Sequence, residues 1–344
     1  MKSSLILSLS PNVGHISHVV AFYKMFIDLG YESSIHVNDK IRSFLPKGIK
    51  LLTKDAGDEF SVVLIESPNL RNVLEILKFR ISGKCKVIYV YHEPLLSFSS
   101  FLKAGFSFSH VCWIYIGDLV EKFCVMMSSN VLLPSRKAMS NYESGIYKKL
   151  NANHLYFPLV FDDSKQNEII DRGYFSYIGT VAADHAFEEF LNFACYIVKQ
   201  NKLLQMRILI ATSSEFDVPE ILLNSSRVEI QKGRYLTNDE IDRYYSSTKV
   251  LWNAYNRMTQ SGVLAKAFMF GTPAIMMRHN LNEFVHDGVE VVAIDDNKSN
   301  EQIENATRKI IEDFDKFSDN CRNRFLQSFY YKAHNSEMER LLQK

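Results

Sequence analysis

Short apolar runs alternate with stretches of helical spacing along almost the whole chain. Residues 5–9 are uninterruptedly apolar, and a polar loop at 10–17 follows, with Pro11 and Gly14 in it. Residues 18–29 then repeat apolar positions at helical spacing and stop at Gly30, which predicts a strand, a loop and an amphipathic helix. Glu32–Val37, residues 61–66, 86–91 and 111–116, and Asn130–Leu133 are further runs of the kind buried on both faces of a parallel sheet. Residues 157–172 change character: Pro158 and the Asp162–Asp163 pair mark a linker. A second alternating series starts at Tyr174. Its predicted strands are 175–178, Arg207–Ala211, Val228–Gln231, 250–253, Ala274–Met277 and Val291–Ile294. Its predicted helices are Phe187–Gln200, 238–246, 262–270 and 300–317, and the tail from Cys321 is charged and helical.

Strands separated by helices imply βαβ units with right-handed crossovers. At 344 residues the chain is long for one core. The expectation is therefore an α/β protein with two Rossmann-like, doubly wound parallel-sheet domains, residues 1–160 and 161–320. Residues 321–344 are expected to form a helix that packs back toward the first domain. Two such domains facing each other make a cleft at the carboxyl ends of their strands, where ligands bind in folds of this class.

Composition narrows the partners. A formal net charge of +1 supplies no field for nucleic acid, so none is expected. The five cysteines are scattered without a Cys-x-x-Cys pair, which reads as reduced thiols in a cytoplasmic protein. The short apolar run at the N-terminus reads as a first strand, not as a secretory leader. No stretch is long and apolar enough to span a membrane; the nearest, 95–120, is interrupted by Lys103, His110 and Asp118.

Candidate chemistry concentrates at 259–273. Thr259, Gln260, Ser261 and Gly262 precede a helical run that stops at Gly271, and Pro273 leads into the next strand. A helix start of this kind presents unpaired backbone N–H groups and the positive end of a dipole, which suits a phosphate. The preceding loop adds Tyr255, Asn256 and Arg257, the last a long cation able to meet a diphosphate by two parallel hydrogen bonds. Lys266 lies one turn into the helix; it either faces the same anion or is a solvated helix residue. Ser261 is either a ligand donor or only the helix cap.

This organisation resembles glycosyltransferases of the GT-B fold, family four in particular. The resemblance rests on Phe175-Ser-Tyr-Ile-Gly-Thr, on Leu236-Thr-Asn-Asp-Glu-Ile, on residues 261–275 and on Asn282-Glu-Phe-Val-His-Asp-Gly. It implies a nucleoside-diphosphate sugar donor on the second domain, with Gly179 and Thr180 in the glycine loop and Glu283 as a ribose or sugar ligand. The chain departs from the family at two places. Met258 and Lys266 stand where two glutamates flank the donor helix, and residues 180–185 lack the long cations that follow the glycine loop. The fold therefore carries across, and the retaining two-glutamate mechanism does not.

On the first domain, His92 and Glu93 follow the strand at 86–91. His92 is placed to stabilise charge at the sugar, and Glu93 to act as a general base, unless the pair is only a polar turn before Pro94. Asn12, Gly14 and His15 lie in the first βα loop. Asp118 either orients an acceptor or caps a helix from Leu119. Asp313-Phe-Asp315 has a metal-binding spacing but sits in a charged helical pattern, and no metal or other cofactor is expected. Lys78, Arg80, Lys84 and Lys86, interleaved with Leu77, Phe79 and Ile81, form with residues 95–108 either a patch suited to an anionic membrane face or an ordinary helix surface plus core.

The expected function is transfer of a sugar from a nucleoside-diphosphate sugar to a glycan or lipid-linked acceptor, in bacterial surface polysaccharide synthesis, with peripheral contact at the inner face of the cytoplasmic membrane. A nucleotide-sugar 2-epimerase of the same fold and a degenerate GT-B partner subunit are the alternatives.

Overall fold

The computed structural model describes the chain apart from Met1, residues 53–59, 67–68, 82–84, 93–97, 104–105, 166–170, Ala183, 201–205, 257–260 and Lys344. The fold divides into two compact units: Met1–Asp162 with Phe329–Lys344, and Asp163–Ser328.

Unit 1 runs β1 (Ser3–Ser8), α1 (Ile16–Asp28), β2 (Glu32–Val37), α2 (Asp39–Arg42), β3 (Val62–Ile65), α3 (Leu70–Ile81) and β4 (Lys86–Val90). It continues with α4 (Phe98–Lys103), α5 (Phe108–Met127), β5 (Asn130–Leu133), α6 (Arg136–Ser144), α7 (Tyr147–Leu150) and β6 (His154–Tyr156). Its six strands form one parallel sheet in the order β2-β1-β3-β4-β5-β6. The order reverses between β1 and β3, so their carboxyl ends form a switch point, where open α/β sheets bind ligands.

Unit 2 runs β7 (Tyr174–Ile178), α8 (Phe187–Gln200), β8 (Arg207–Ala211), α9 (Glu220–Leu223), β9 (Val228–Gln231), α10 (Asn238–Ser247) and β10 (Thr248–Asn253). It ends with α11 (Gly262–Met269), β11 (Ala274–Met277), β12 (Val291–Ile294), α12 (Asn300–Glu312) and α13 (Phe314–Ser328). The sheet order is β12-β11-β10-β7-β8-β9, again all parallel, with the switch point between β7 and β10. Phe175, Phe190, Phe193 and Trp252 are fully buried in one core cluster.

Several boundaries differ from the sequence reading: the helix expected at 300–317 divides into α12 and α13, and the tail expected as one helix from 321 divides between α13 and a last helix. Residues 111–116 are not a strand but part of the 20-residue α5. Their β-branched side chains suggested a strand, yet Val111, Asp118 and Val125 recur every seventh residue on a buried helical face, and tertiary packing overrides local propensity. Nor does the second unit end at 320. Phe317, Cys321 and Phe325 bury α13 in unit 2, so the division falls after Ser328. The chain then rejoins unit 1: Phe161 N–H donates to Phe329 O at 2.8 Å and Tyr331 N–H to Phe161 O at 3.0 Å. The last helix, α14 (Asn335–Gln343), receives the Lys86 ammonium at Leu341 O, 3.0 Å away.

The end of α11 shows why Gly271 follows it. Its φ is +69°, a conformation that reverses the chain into β11, and Arg172 donates to the carbonyls of Phe270 and Gly271 that the helix leaves open. A Cβ at this position would meet Ser318 Oγ at 2.6 Å and Ser318 O at 3.1 Å. Gly271→Ala is expected to lower the stability of unit 2 by about 1–2 kcal/mol from the left-handed backbone alone. A shifted urea midpoint with unchanged slope would show it; an unshifted midpoint would contradict it.

Candidate functional site

In unit 1 the parallel register places three loops side by side. Leu7 pairs with Ile65 and Ile65 with Tyr89, so the residues just past β1, β3 and β4 emerge together. Glu66, the first residue after β3, is fully buried. Its Oε2 accepts from the Ser8 hydroxyl at 3.0 Å and lies 3.0 Å from His15 Nδ1, while Oε1 lies 3.1 Å from His92 Nε2. His92 Nε2–H also donates to the Glu66 backbone carbonyl. The His15 and His92 rings stack with centroids 5.2 Å apart and planes 12° from parallel. Asn12 holds the first loop by accepting from Gly14 N–H at 2.9 Å and opening a short turn that ends at His15.

Electrostatics ties the group together. Burial alone would raise the Glu66 carboxyl, but His15 and His92 overcome it and hold the group well below the usual carboxylate range. For His92 burial works against the proton, and the adjacent Glu66 carboxylate more than offsets it, so its pKa is raised. His18, on α1, is different. Burial lowers its pKa to about 4, and its Nδ1–H donates to Val160 O at 3.0 Å, so it stays neutral at pH 7. Neither His15 Nδ1 nor Glu66 Oε1 has an aligned hydrogen-bond partner among the described atoms.

In unit 2 the switch point brings the glycine loop against the start of α11. Gly179 has φ +143°, and a Cβ there would lie 3.5 Å from Val263 Cγ2 and 3.7 Å from the Tyr255 hydroxyl. The neighbouring carbonyl, Thr180 O, accepts from the Tyr177 hydroxyl at 2.7 Å and from His185 Nδ1–H at 2.6 Å. The His185 ring stacks on Tyr255 at 4.1 Å with planes 7° apart. Tyr255 is buried with its hydroxyl beside the Asn253 side chain, and among the described atoms that hydroxyl has no aligned hydrogen-bond partner. Ser261 caps α11 by accepting from Leu264 N–H at 3.1 Å. The N–H groups at the very start of the helix are left without an acceptor inside it.

The loop after β10 is held from both sides. Asn256 N–H donates to Asp184 O at 2.7 Å, Lys298 donates to Asn256 Oδ1 at 2.6 Å, and Asn280 Nδ2 donates to Tyr255 O at 2.6 Å. Lys298 also pairs with Glu189 at 2.9 Å, and His279 bonds Asn256 O at 3.0 Å.

The structure thus brings His15 and His92 together in unit 1, with Asn12 and Gly14 in the same loop. In unit 2 it brings together Gly179, Thr180, Tyr255, Asn256, Ser261 and Gly262. Glu283 is half-buried, three residues past Asn280. Glu93, Arg257, Thr259 and Gln260 lie outside the described residues.

Three of the predicted side chains have partners within the fold. The Lys266 ammonium pairs with Asp242 at 2.7 Å and donates to Ser164 Oγ at 2.9 Å, because its helical position points it at α10. Asp118 lies neither in a loop nor at a helix start. It is buried in the middle of α5, where it accepts from the Tyr147 hydroxyl and pairs with Lys122 at 2.6 Å. The Ser261 oxygen accepts from Leu264 N–H and from Asn253 Nδ2, so the residue is the helix cap, and its O–H hydrogen stays able to donate beside the backbone N–H groups. Glu66, His185 and Lys298 were missed. Glu66 carried a signal, an acidic residue ending a β-branched run, whereas Lys298 reaches Asn256 only through the fold.

No family profile matches this chain, and no curated protein matches it by sequence. Solved structures match it over its whole length. Anabaena HepE in complex with UDP aligns with a TM-score of 0.69 at 13% identity, covering 100% of both chains. Sucrose-phosphate synthase from Thermosynechococcus elongatus aligns with a TM-score of 0.71 at 12% identity, covering 99% of this chain and 98% of that one. A glycosyltransferase from Rickettsia africae aligns with a TM-score of 0.67 at 9% identity, over 99% and 98% of the two chains. The fold is therefore that of GT-B glycosyltransferases, with two Rossmann-like domains. Among the described residues no helix is long and apolar enough to cross a membrane, and no group of three or more His, Cys, Asp or Glu is arranged to hold a metal ion.

Proposed function

We propose that the protein is a glycosyltransferase that takes its sugar from a nucleoside-diphosphate sugar, with the nucleotide on unit 2. The observation that carries this reading is the meeting of Gly179, the buried Tyr255 hydroxyl and the start of α11 at the switch point. A glycine with no side chain in the way, a hydroxyl beside it and open helix N–H groups suit a diphosphate better than any uncharged ligand. Arg257, the residue after Asn256 in the sequence, supplies the balancing charge in this reading. The likeness to HepE, solved with UDP, supports the choice of nucleotide to try first.

On unit 1 the reading gives His15 the role of general base toward the acceptor hydroxyl. Its Nδ1 faces Glu66, so Nε2 is the nitrogen available to take the proton. Glu66 is a positioning residue: its charge favours the imidazolium that forms as the hydroxyl is deprotonated. The acceptor is a glycan or a lipid-linked sugar, and the setting is surface polysaccharide synthesis.

Thermal melting with UDP, UDP-glucose, ADP and GDP tests the donor site. A nucleotide at about one hundred times its Kd should add about 2.7 kcal/mol, and Arg257→Ala should remove most of the gain. If no nucleoside diphosphate stabilises the wild type, the reading fails. A putative UDP-N-acetylglucosamine 2-epimerase from Listeria monocytogenes also aligns, with a TM-score of 0.59 at 11% identity over 99% of this chain and 95% of that one. Conversion of the donor alone to an epimer, without acceptor, would select that chemistry instead.

A further inference from the structure

Helix α5 presents to the outside much of a segment whose sequence reads as buried. Its buried positions are few: Val111, Asp118, Cys124 and Val125. Its outward side shows Phe108 (67% exposed), Trp113 (70%), Ile116 (51%), Leu119 (64%) and Met126 (47%). Scattered single apolar residues on a surface need no explanation, but five along one helix form a continuous stripe. The neighbouring α3 extends the stripe with Leu70 and Leu74, 72% and 69% exposed.

Among the described residues of α3 and α5, the exposed charges are of one sign. Arg71 and Lys78 on α3 are exposed, as is His110 on α5. The carboxylates of these two helices are withdrawn: Asp118 is buried under Tyr147 and Lys122, Glu121 accepts from the Tyr89 hydroxyl, and Glu75 is half-buried. This surface shares Lys78 and Phe108 with the patch expected from the sequence, and other members of that patch lie elsewhere. Phe79 and Phe101 are buried, and Lys86 is committed to the carbonyls of α14.

We propose that the outward face of α5, with the adjoining end of α3, rests on an anionic lipid surface. An aromatic and aliphatic stripe edged by cations and free of exposed carboxylate matches the acyl boundary and its phosphate headgroups. Asp118, Glu121 and Lys122 keep the helix from entering as a span, so it lies in the interface plane. A second copy of the chain fits less well, because a symmetric contact sets Arg71 and Lys78 of both copies against each other. The inference concerns a different surface from the nucleotide site and does not rest on the transferase reading.

The chain has two tryptophans, and Trp252 is fully buried in unit 2, so a lipid-induced change in emission reports Trp113. The full-length protein is mixed with phosphatidylcholine vesicles, with or without phosphatidylglycerol. The expected result is a blue shift and co-sedimentation with the anionic vesicles only, both weakened by salt. Ile116→Ser with Leu119→Ser should weaken sedimentation on the order of tenfold or more. Arg71→Glu with Lys78→Glu, which alters only exposed side chains, should weaken it as well and covers the case in which the serine variant folds poorly. The proposal is overturned if anionic vesicles produce neither signal, or if the charge-reversed variant binds as the wild type does. It is also overturned if the blue shift grows with protein concentration in the absence of lipid.

Discussion

Glu66→Ala is expected to lower the stability of unit 1 by about 3–5 kcal/mol, enough to unfold much of a marginally stable domain. The carboxylate is fully buried, and Ser8, His15 and His92 all converge on it. Removing it strands their donors and takes away the charge that holds the proton on His92. Glu66→Gln preserves the shape and can still accept from Ser8, so its expected loss is smaller, about 1–3 kcal/mol. The two variants separate folding from chemistry. If Glu66 orients His15 as a base, Glu66→Gln should cut kcat by about 10²-fold or more while leaving the donor KM near the wild-type value, and the pH–rate profile should shift. Urea denaturation and steady-state rates check both halves. A Gln variant with the wild-type kcat and pH profile would leave Glu66 as a purely structural residue.

The second large effect is an acid limb of stability set by His18. The imidazole takes up its proton near 6.5 in the unfolded chain and only at about 4 in the buried site. Between those values the unfolded state binds more protons, so stability falls as pH drops from about 6.5 toward 4, by about 3 kcal/mol in total. Glu66 adds to the same limb at lower pH. Its folded pKa is depressed, so its contribution is present above the unfolded carboxylate value and is lost as pH falls toward the folded one. His92 acts in the opposite sense. Its raised pKa contributes stability below the unfolded value that is lost as pH rises through the folded one. Melting temperatures from pH 7 to 5 test the His18 part. His18→Gln retains a donor for Val160 O and should flatten that range; parallel curves for wild type and variant would refute the assignment.

Much of unit 2 was legible in the sequence. Arg207–Ala211, Val228–Gln231, Ala274–Met277 and Val291–Ile294 are strands with the predicted limits, and Phe187–Gln200 is a helix with the predicted limits. Local chemistry marks these elements: Thr237 and Glu240 form a capping box at the start of α10, Ser261 caps α11, and Gly271 ends the turn after it. Unit 1 was less legible. In α5 an apolar, β-branched segment mimics a strand, and only the seven-residue recurrence of Val111, Asp118 and Val125 on a packed face makes it a helix.

The site divides along the same line. The glycine loop and the α11 start were visible because a turn and a helix cap are written in a few adjacent residues. The sequence by itself determined the alternation of elements, their caps and the loops that carry polar side chains. Which of those loops meet was decided by the tertiary structure alone. Parallel strands are joined by long crossovers, so sheet order and register, not proximity in sequence, put His15 and His92 on one buried carboxylate and set Lys298 beside Asn256. The same packing turned Lys266 toward Asp242 and left the apolar side of α5 facing outward.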